Sequence, residues 1–261
     1  SPNPSTGEEP MERASRELLA VDQRVLTIQD EVRDNFGWEL EKDTESALLL
    51  LNSVEEFDVD SWTRSRRAQT VASLYRRMVL RPAEVVIIGA AITVSEVEKI
   101  LQNNNLLIVA DGAAGVLEEL SDSQSERMWS RLACLVSDAD GGRGTIAAVK
   151  RGIPIILHAH GDNQEAWSEL LSMAAIQRTP PPLVLTHQTP ESIDGMHNPG
   201  GFTDGDRAVC FARSLGIPRE RITLLGTRTD IVGKWSGVTN PEVKLVKLQW
   251  MSKVLQYLGF L

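Results

Sequence analysis

The chain has 261 residues, 42% of them hydrophobic, enough to bury a substantial core in one large domain or one domain plus a smaller helical part. Its net charge of -9 and pI near 5.1 argue against a dedicated nucleic-acid or anionic-membrane binder, which would show a basic stripe. No apolar stretch approaches the roughly 20 residues of a membrane span, and Ser1 to Pro10 lack the charged-then-apolar layout of a signal peptide, so a cytoplasmic protein is expected.

Residues 1–10, rich in Pro, Ser, Thr and Glu, bury little and read as a disordered tail. From 11 to 81 apolar residues recur at helical spacing, as in Leu18, Val25, Ile28, Val32 and then Ala47, Leu48, Leu51, which predicts a helical N-terminal region. Past Pro82 the texture changes to short apolar runs divided by helical segments: 85–88, 106–109, 132–136, 153–157, 183–185 and 222–225. Strands alternating with helices predict an α/β domain over 82–261, a mainly parallel sheet flanked by helices. A C-terminal helix opens at Asn240-Pro241-Glu242, with a capping Asn, Pro in the first turn and an acid near the positive end of the dipole.

Ligands of such sheets bind at the carboxyl ends of the strands, and this chain places Gly89, Asp111, Asp138, His158, His187 and Gly226 there. Four motifs follow apolar, strand-like runs or open a helix: Ala110-Asp111-Gly112-Ala113, Asp138-Ala139-Asp140-Gly141, His158-Ala159-His160-Gly161-Asp162-Asn163, and Gly200-Gly201-Phe202-Thr203-Asp204-Gly205-Asp206-Arg207. Two unpaired carboxylates about 4 Å apart repel by roughly 4 kcal/mol at an effective dielectric near 20. A cluster of them needs cations, and a magnesium and polyphosphate site is the simplest reason to build one. Asp138 and Asp140, one residue apart on a strand exit, can share a hard cation, although Asp-Gly is also a common turn pair.

Thr203 reads as a helix N-cap with Asp206 as its capping-box partner. That helix N-terminus would also bind phosphate, with Gly200 and Gly201 allowing close backbone approach. Arg207 contacts a phosphate or pairs with the local acids; Asp111 binds a ligand or caps the next helix. Lys244 and Lys247, one turn apart, either reach polyphosphate or form a solvated face. Zinc at the His-x-His-x-Asp run is a rival, disfavoured by a site dominated by Asp oxygens. Cys134 and Cys210 read as small buried hydrophobes. Of the six tryptophans, Trp235 is expected nearest a ligand.

Taken together, and in this order, the four motifs resemble the archaeal 6-hydroxymethyl-7,8-dihydropterin pyrophosphokinases, a family similar in fold to thiamine pyrophosphokinase. The resemblance runs from near Ile28 to the C-terminal helix. It implies transfer of a diphosphoryl group from ATP to the hydroxymethyl of a reduced pterin, with release of AMP, in the making of folate or a methanopterin-type cofactor. It further implies Asp138, Asp140 and Asp204 as Mg²⁺ ligands and Arg207 as a charge neutraliser. Asp111, Gly201, Thr203, Asp206, Lys244 and Lys247 are then expected around ATP, and His158, His160, Asp162, Asn163 and Phe202 around the pterin. A homodimer fits the family, though no interface is legible.

Three departures stand out. Where the family shows Gly-x-Gly-Pro-Ser this chain has Gly89-Ala90-Ala91-Ile92-Thr93; its late Gly-Met-Asp-Phe-Gly is replaced by Gly226-Thr227-Arg228-Thr229-Asp230; and Ala139 stands where Leu is usual. The rival functions are a nucleotide-sugar glycosyltransferase, since Asp-Ala-Asp after a strand also occurs there, and a family member that binds nucleotide or pterin without turnover.

Overall fold

The computed structural model describes residues 17–237 and 240–261, so the tail expected over 1–10 lies outside the described residues. The N-terminal region is helical as expected: α1 (Arg24–Phe36), α2 (Leu40–Glu56) and α3 (Arg64–Tyr75), the last continued by a π-turn over Arg76–Leu80. In α1 the buried positions Val25, Ile28, Gln29, Val32 and Arg33 fall on one face at helical spacing. The helix stops at Gly37, whose φ of 69° is left-handed, while the N–H of Trp38 donates to the Arg33 carbonyl at 2.9 Å. That reversal turns Trp38 back onto Phe36, with ring centroids 4.6 Å apart.

All six expected strands form: β1 (Glu84–Ile88), β2 (Asn105–Ala110), β3 (Leu132–Ser137), β4 (Ile155–His158), β5 (Leu183–Thr186) and β6 (Ile222–Leu225). They make one parallel sheet in the order β5-β4-β3-β2-β1-β6. The connections are α4 (Val94–Ile100), a 3-10 segment (Asp111–Glu119) with α5 (Asp122–Arg131), α6 (Arg143–Lys150), α7 (Gln164–Ala175) and α8 (Asp204–Leu215). The chain ends with α9 (Pro241–Tyr257).

Successive strand residues point to opposite faces, and the two cores follow that alternation. Val86, Ile88, Leu107, Val109, Leu135 and Leu157 pack with α2, α4, α5, α6 and α7, around the fully buried Trp62 and Trp167. Val85, Ile87, Ile108, Cys134, Val136 and Ile156 pack with α1, α3, α8 and α9. Both cysteines are buried and free. The N-terminal helices therefore close both faces of the same sheet. Among the described residues no helix is long and apolar enough to cross a membrane.

This topology decides where the site lies. Strands β1 to β5 are laid down in one direction, and α8 then carries the chain back across β1, β2 and β3 so that β6 pairs on the far edge of β1. The N-terminus of α8 thus arrives from one face, and the turns after β2 and β3 arrive from the other.

Candidate active site

Four carboxylates meet above the carboxyl ends of β2 and β3. One oxygen from each of Asp111, Asp138, Asp140 and Asp204 lies within 4.8 Å of the other three. They line a cavity of about 230 Å³ together with Thr203, Arg207, Lys244, Lys247 and the loops 89–91 and 226–236. Asp111 opens the 3-10 segment in a left-handed conformation, φ 42°, and Ala139 adopts another, φ 76°. Such backbone costs roughly 1–3 kcal/mol per residue and persists where surrounding structure holds it. Ser137 does so here: its hydroxyl accepts the Ala139 N–H at 2.8 Å and donates to Asp111 Oδ1 at 2.6 Å. Thr145 donates to the same oxygen at 2.6 Å.

The other Asp111 oxygen, Oδ2, and Asp138 Oδ1 are buried without a hydrogen-bond partner among the described residues. Orphaned acceptors of this kind are costly unless a donor or cation meets them. An all-carboxylate donor set suits a hard cation such as Mg²⁺ better than zinc, so the residues fit that ion.

The electrostatics say the same. Burial, reinforced by the charges of Asp204 and Asp138, pushes the Asp111 carboxyl well above its usual range. Burial and Asp138 do likewise to Asp204, against the pull of Arg207. Asp140 is raised to about 6 by burial and Asp138. Burial opposes ionisation of Asp138 too, but His160 Nε2 at 3.4 Å, with the neighbouring Asp140 carboxyl, holds it well below the carboxylate norm. One acid is thus held ionised while its three neighbours resist charging, the condition a bound cation relieves.

His160 bridges outward, with Nε2 3.4 Å from Asp138 Oδ2 and Nδ1 2.6 Å from Asp162. Although burial lowers its pKa, these two carboxylates raise it to about 9. Arg207 Nη1 meets Asp204 at 2.8 Å, so it faces the cavity and pairs with an acid at once. Phe202 lines the cavity beside Trp38, its centroid 6.1 Å away.

Four residues expected around the ligands hold the scaffold instead. His158 is buried between Thr186, 2.9 Å from Nδ1, and Gln188, 3.0 Å from Nε2, and burial drives its pKa well down. Asn163 donates to the carbonyls of Asp138 and His158 and accepts the His160 N–H, which braces Asp138 from behind. Asp206 accepts the N–H groups of Phe202 and Thr203 and the Thr203 hydroxyl, so capping uses its oxygens, and it does not line the cavity. Gly201, φ 94°, faces protein: a Cβ there would stand 2.9 Å from the Arg207 Cα, and one on Gly200 would stand 2.4 Å from Val25. Gly201→Ala is therefore expected to destabilise the fold by about 2 kcal/mol or more, read as a lower urea midpoint at unchanged slope.

The two departing loops are joined to each other. Gly89 N–H donates to Leu225 and Ala91 N–H to the Gly226 carbonyl, both at 2.8 Å, while Trp235 N–H donates to Ala90. The loop after β1 is thus bound to the one after β6. Asp230 pairs with Arg228 on the surface, and the acid cluster is completed without it. Trp235, expected nearest a ligand, lines the cavity but spends its ring against Gly115, where an added Cβ would stand 2.6 Å away.

Beyond β5, burial lowers His187 to about 4, and His197 to about 4 by burial and then Arg67. Their unfolded value is near 6.5, so the unfolded chain binds more protons between the two. The stability they confer is complete above about pH 6.5 and is lost as pH falls toward 4, by up to roughly 3 kcal/mol for the buried His187. Thermal melts of the wild type should fall more steeply over this window than those of His187→Gln.

Three curated relatives, each named 6-hydroxymethyl-7,8-dihydropterin pyrophosphokinase, match the chain. The Pyrococcus furiosus protein is 32% identical over 158 residues, 58% of this chain and 61% of the relative. The Methanocaldococcus jannaschii protein is 27% identical over 244 residues, covering 88% and 92%. The Methanothermobacter thermautotrophicus protein is 35% identical over 136 residues, covering 48% and 53%. The chain thus spans about three fifths of the first relative and about half of the third in these matches, and nearly all of the second. The resemblance carried by the motifs is borne out. No family model matches, and no solved structure does.

Proposed function

We propose, from the premise that this chain is a relative of the archaeal 6-hydroxymethyl-7,8-dihydropterin pyrophosphokinases, that it transfers the diphosphoryl group of ATP to the hydroxymethyl of a reduced pterin. The observation that carries the reading is the four-carboxylate cluster with two buried, unpartnered oxygens. The pterin hydroxyl oxygen bonds to the β-phosphorus, the bond from that phosphorus to the α–β bridging oxygen breaks, and AMP leaves with that oxygen. The hydroxyl proton passes to solvent water as the new bond forms.

Asp138, Asp140 and Asp204, joined by Asp111, would hold Mg²⁺, with Ser137 and Thr145 fixing Asp111. When bound, the ion neutralises polyphosphate charge in the ground state and as it redistributes. The chain's own cations face the same cavity: Arg207 at the mouth of α8, Lys244 and Lys247 on the first turns of α9. Thr203 offers the start of α8, where backbone N–H groups and the helix dipole favour an anion. Positioning and electrostatics of this kind supply most of the catalysis in phosphoryl transfer. Of the residues expected around the pterin, His160, Asp162 and Phe202 face the cavity and would contact it, while His158 and Asn163 support them.

Incubation with ATP, Mg²⁺ and 6-hydroxymethyl-7,8-dihydropterin, with AMP separated from ADP, tests the reading. AMP that appears only with the pterin supports it. Its absence from folded protein would remove the reading and leave the binding-only alternative. The nucleotide-sugar glycosyltransferase reading rests on Asp-Ala-Asp alone and is not favoured by the relatives.

A further inference from the structure

A second cavity, of about 300 Å³, opens beside the acid-lined one and is walled by Gly37, Trp38, Glu39, Lys42, Asp43 and the loop 160–162. Trp38, His160, Asp162 and Gln188 line both. Its volume sits at the lower end of the roughly 300–1,000 Å³ typical of small-molecule sites, enough for a fused two-ring heterocycle. Trp38 is 41% exposed, whereas Trp62, Trp129 and Trp167 are buried and Trp235 and Trp250 half-buried. Core packing does not require a large ring to stay open to solvent in a cavity wall. Its placement is nonetheless fixed, by the left-handed Gly37 and by stacking on Phe36 at an interplanar angle of 15°.

We propose that this second cavity holds the planar ring of the acceptor, stacked on Trp38, so that its hydroxymethyl projects past His160 into the acid-lined cavity. This rests on the proposed pterin reaction for the ligand's chemistry, and on the two cavities for its location. An electron-rich indole and a nitrogen-rich bicycle stack favourably in offset geometry. Asp43 and Gln188, although in the wall, are committed: Asp43 accepts the Gly161 N–H, Arg33 and the Gln188 amide, and Gln188 also meets His158. Ring N–H and amino groups are left to Asp162, whose side chain is 83% exposed and has an oxygen beyond the one meeting His160, and to the exposed Glu39.

Reach also fits. The cavities adjoin at His160, which lines both and lies 3.4 Å from Asp138 in the acid-lined one and 2.6 Å from Asp162, shared by the two. Lys247, with Nζ 5.7 Å from the Trp38 centroid, stands on the phosphate side, and its flexible stem lets the ammonium leave the ring. Trp38 would thus mark the boundary between the acceptor ring and the polyphosphate, contributed by the helical N-terminal region.

The test is calorimetric titration of 6-hydroxymethylpterin, without nucleotide, into the wild type, Trp38→Ala and Trp38→Phe, with Mg-ATP titrated in parallel. Trp38→Ala should weaken pterin binding roughly 10-fold or more, the scale of losing one stacked base. It should weaken Mg-ATP binding markedly less than pterin binding and lower the melt only modestly, by the lost stacking on Phe36, and Trp38→Phe should recover most of both losses. Unchanged pterin affinity in Trp38→Ala would overturn the proposal, as would parallel loss of both ligands or a wild type that binds no pterin. Pterin-dependent AMP with unchanged Trp38→Ala binding would remove the subsite and keep the function. Trp38-dependent pterin affinity without AMP would do the reverse.

Discussion

Asp138→Asn is expected to lose Mg²⁺-dependent turnover by about 10³-fold while folding normally. A metal site stabilises transition-state charge by several kcal/mol, and each 1.36 kcal/mol is tenfold in rate. Asp138 is the member of the cluster to choose because it is the one held ionised, while burial and mutual repulsion push the other three up. Its Oδ1 is buried without a partner, so no protein donor competes for it.

The same argument gives a readout that needs no substrate. Mg²⁺ should raise the thermal midpoint of the wild type, because an ion that binds only the folded cluster stabilises it by mass action and cancels the repulsion. In Asp138→Asn that rise should shrink or vanish. Near-wild-type turnover together with an undiminished Mg²⁺ shift would show that the cluster does not hold the ion.

The strands and the acids after them were legible because both signals are local. A short apolar run followed by Asp places a carboxylate on the rim whatever the strand order, so Asp111, Asp138 and Asp140 could be read without knowing that β2 and β3 are neighbours. Thr203 and Asp206 were legible as a capping box for the same reason. Local spacing could not say which polar residues would be used up by other parts of the chain. His158 is taken by Thr186 and Gln188, and Asn163 by two carbonyls; those partners are set by tertiary packing. The converse holds for Trp38. It reads as one aromatic in a helical region, and only the contact between 37–43 and 160–162, more than a hundred residues apart, brings it to the site. Ser137 and Thr145 carried no signal beyond their nearness to Asp138 and to the following helix, yet they fix Asp111.

That long-range contact depends on a buried ion pair, and breaking it is the second large effect expected. Arg33 and Asp43 meet at 3.0 Å with side chains 5% and 6% exposed. Arg33 also donates to the Gln188 carbonyl at 2.8 Å and to Asp30, while Asp43 accepts the Gly161 N–H at 2.8 Å. Arg33→Met should cost about 3–5 kcal/mol, because it leaves a buried carboxylate without its counter-charge. Asp43→Asn alone leaves the guanidinium partly compensated by Asp30 and should cost less. The double variant holds no uncompensated charge and keeps an acceptor for Gly161, so it should recover more than half the loss of Arg33→Met. A urea-unfolding cycle measures that coupling directly. Additive losses, or a cost below about 1 kcal/mol for Arg33→Met, would mean that the pair does not hold α1 and α2 to the loop at Gly161. The second cavity, walled by that loop and by Asp43, would then owe its shape to packing alone.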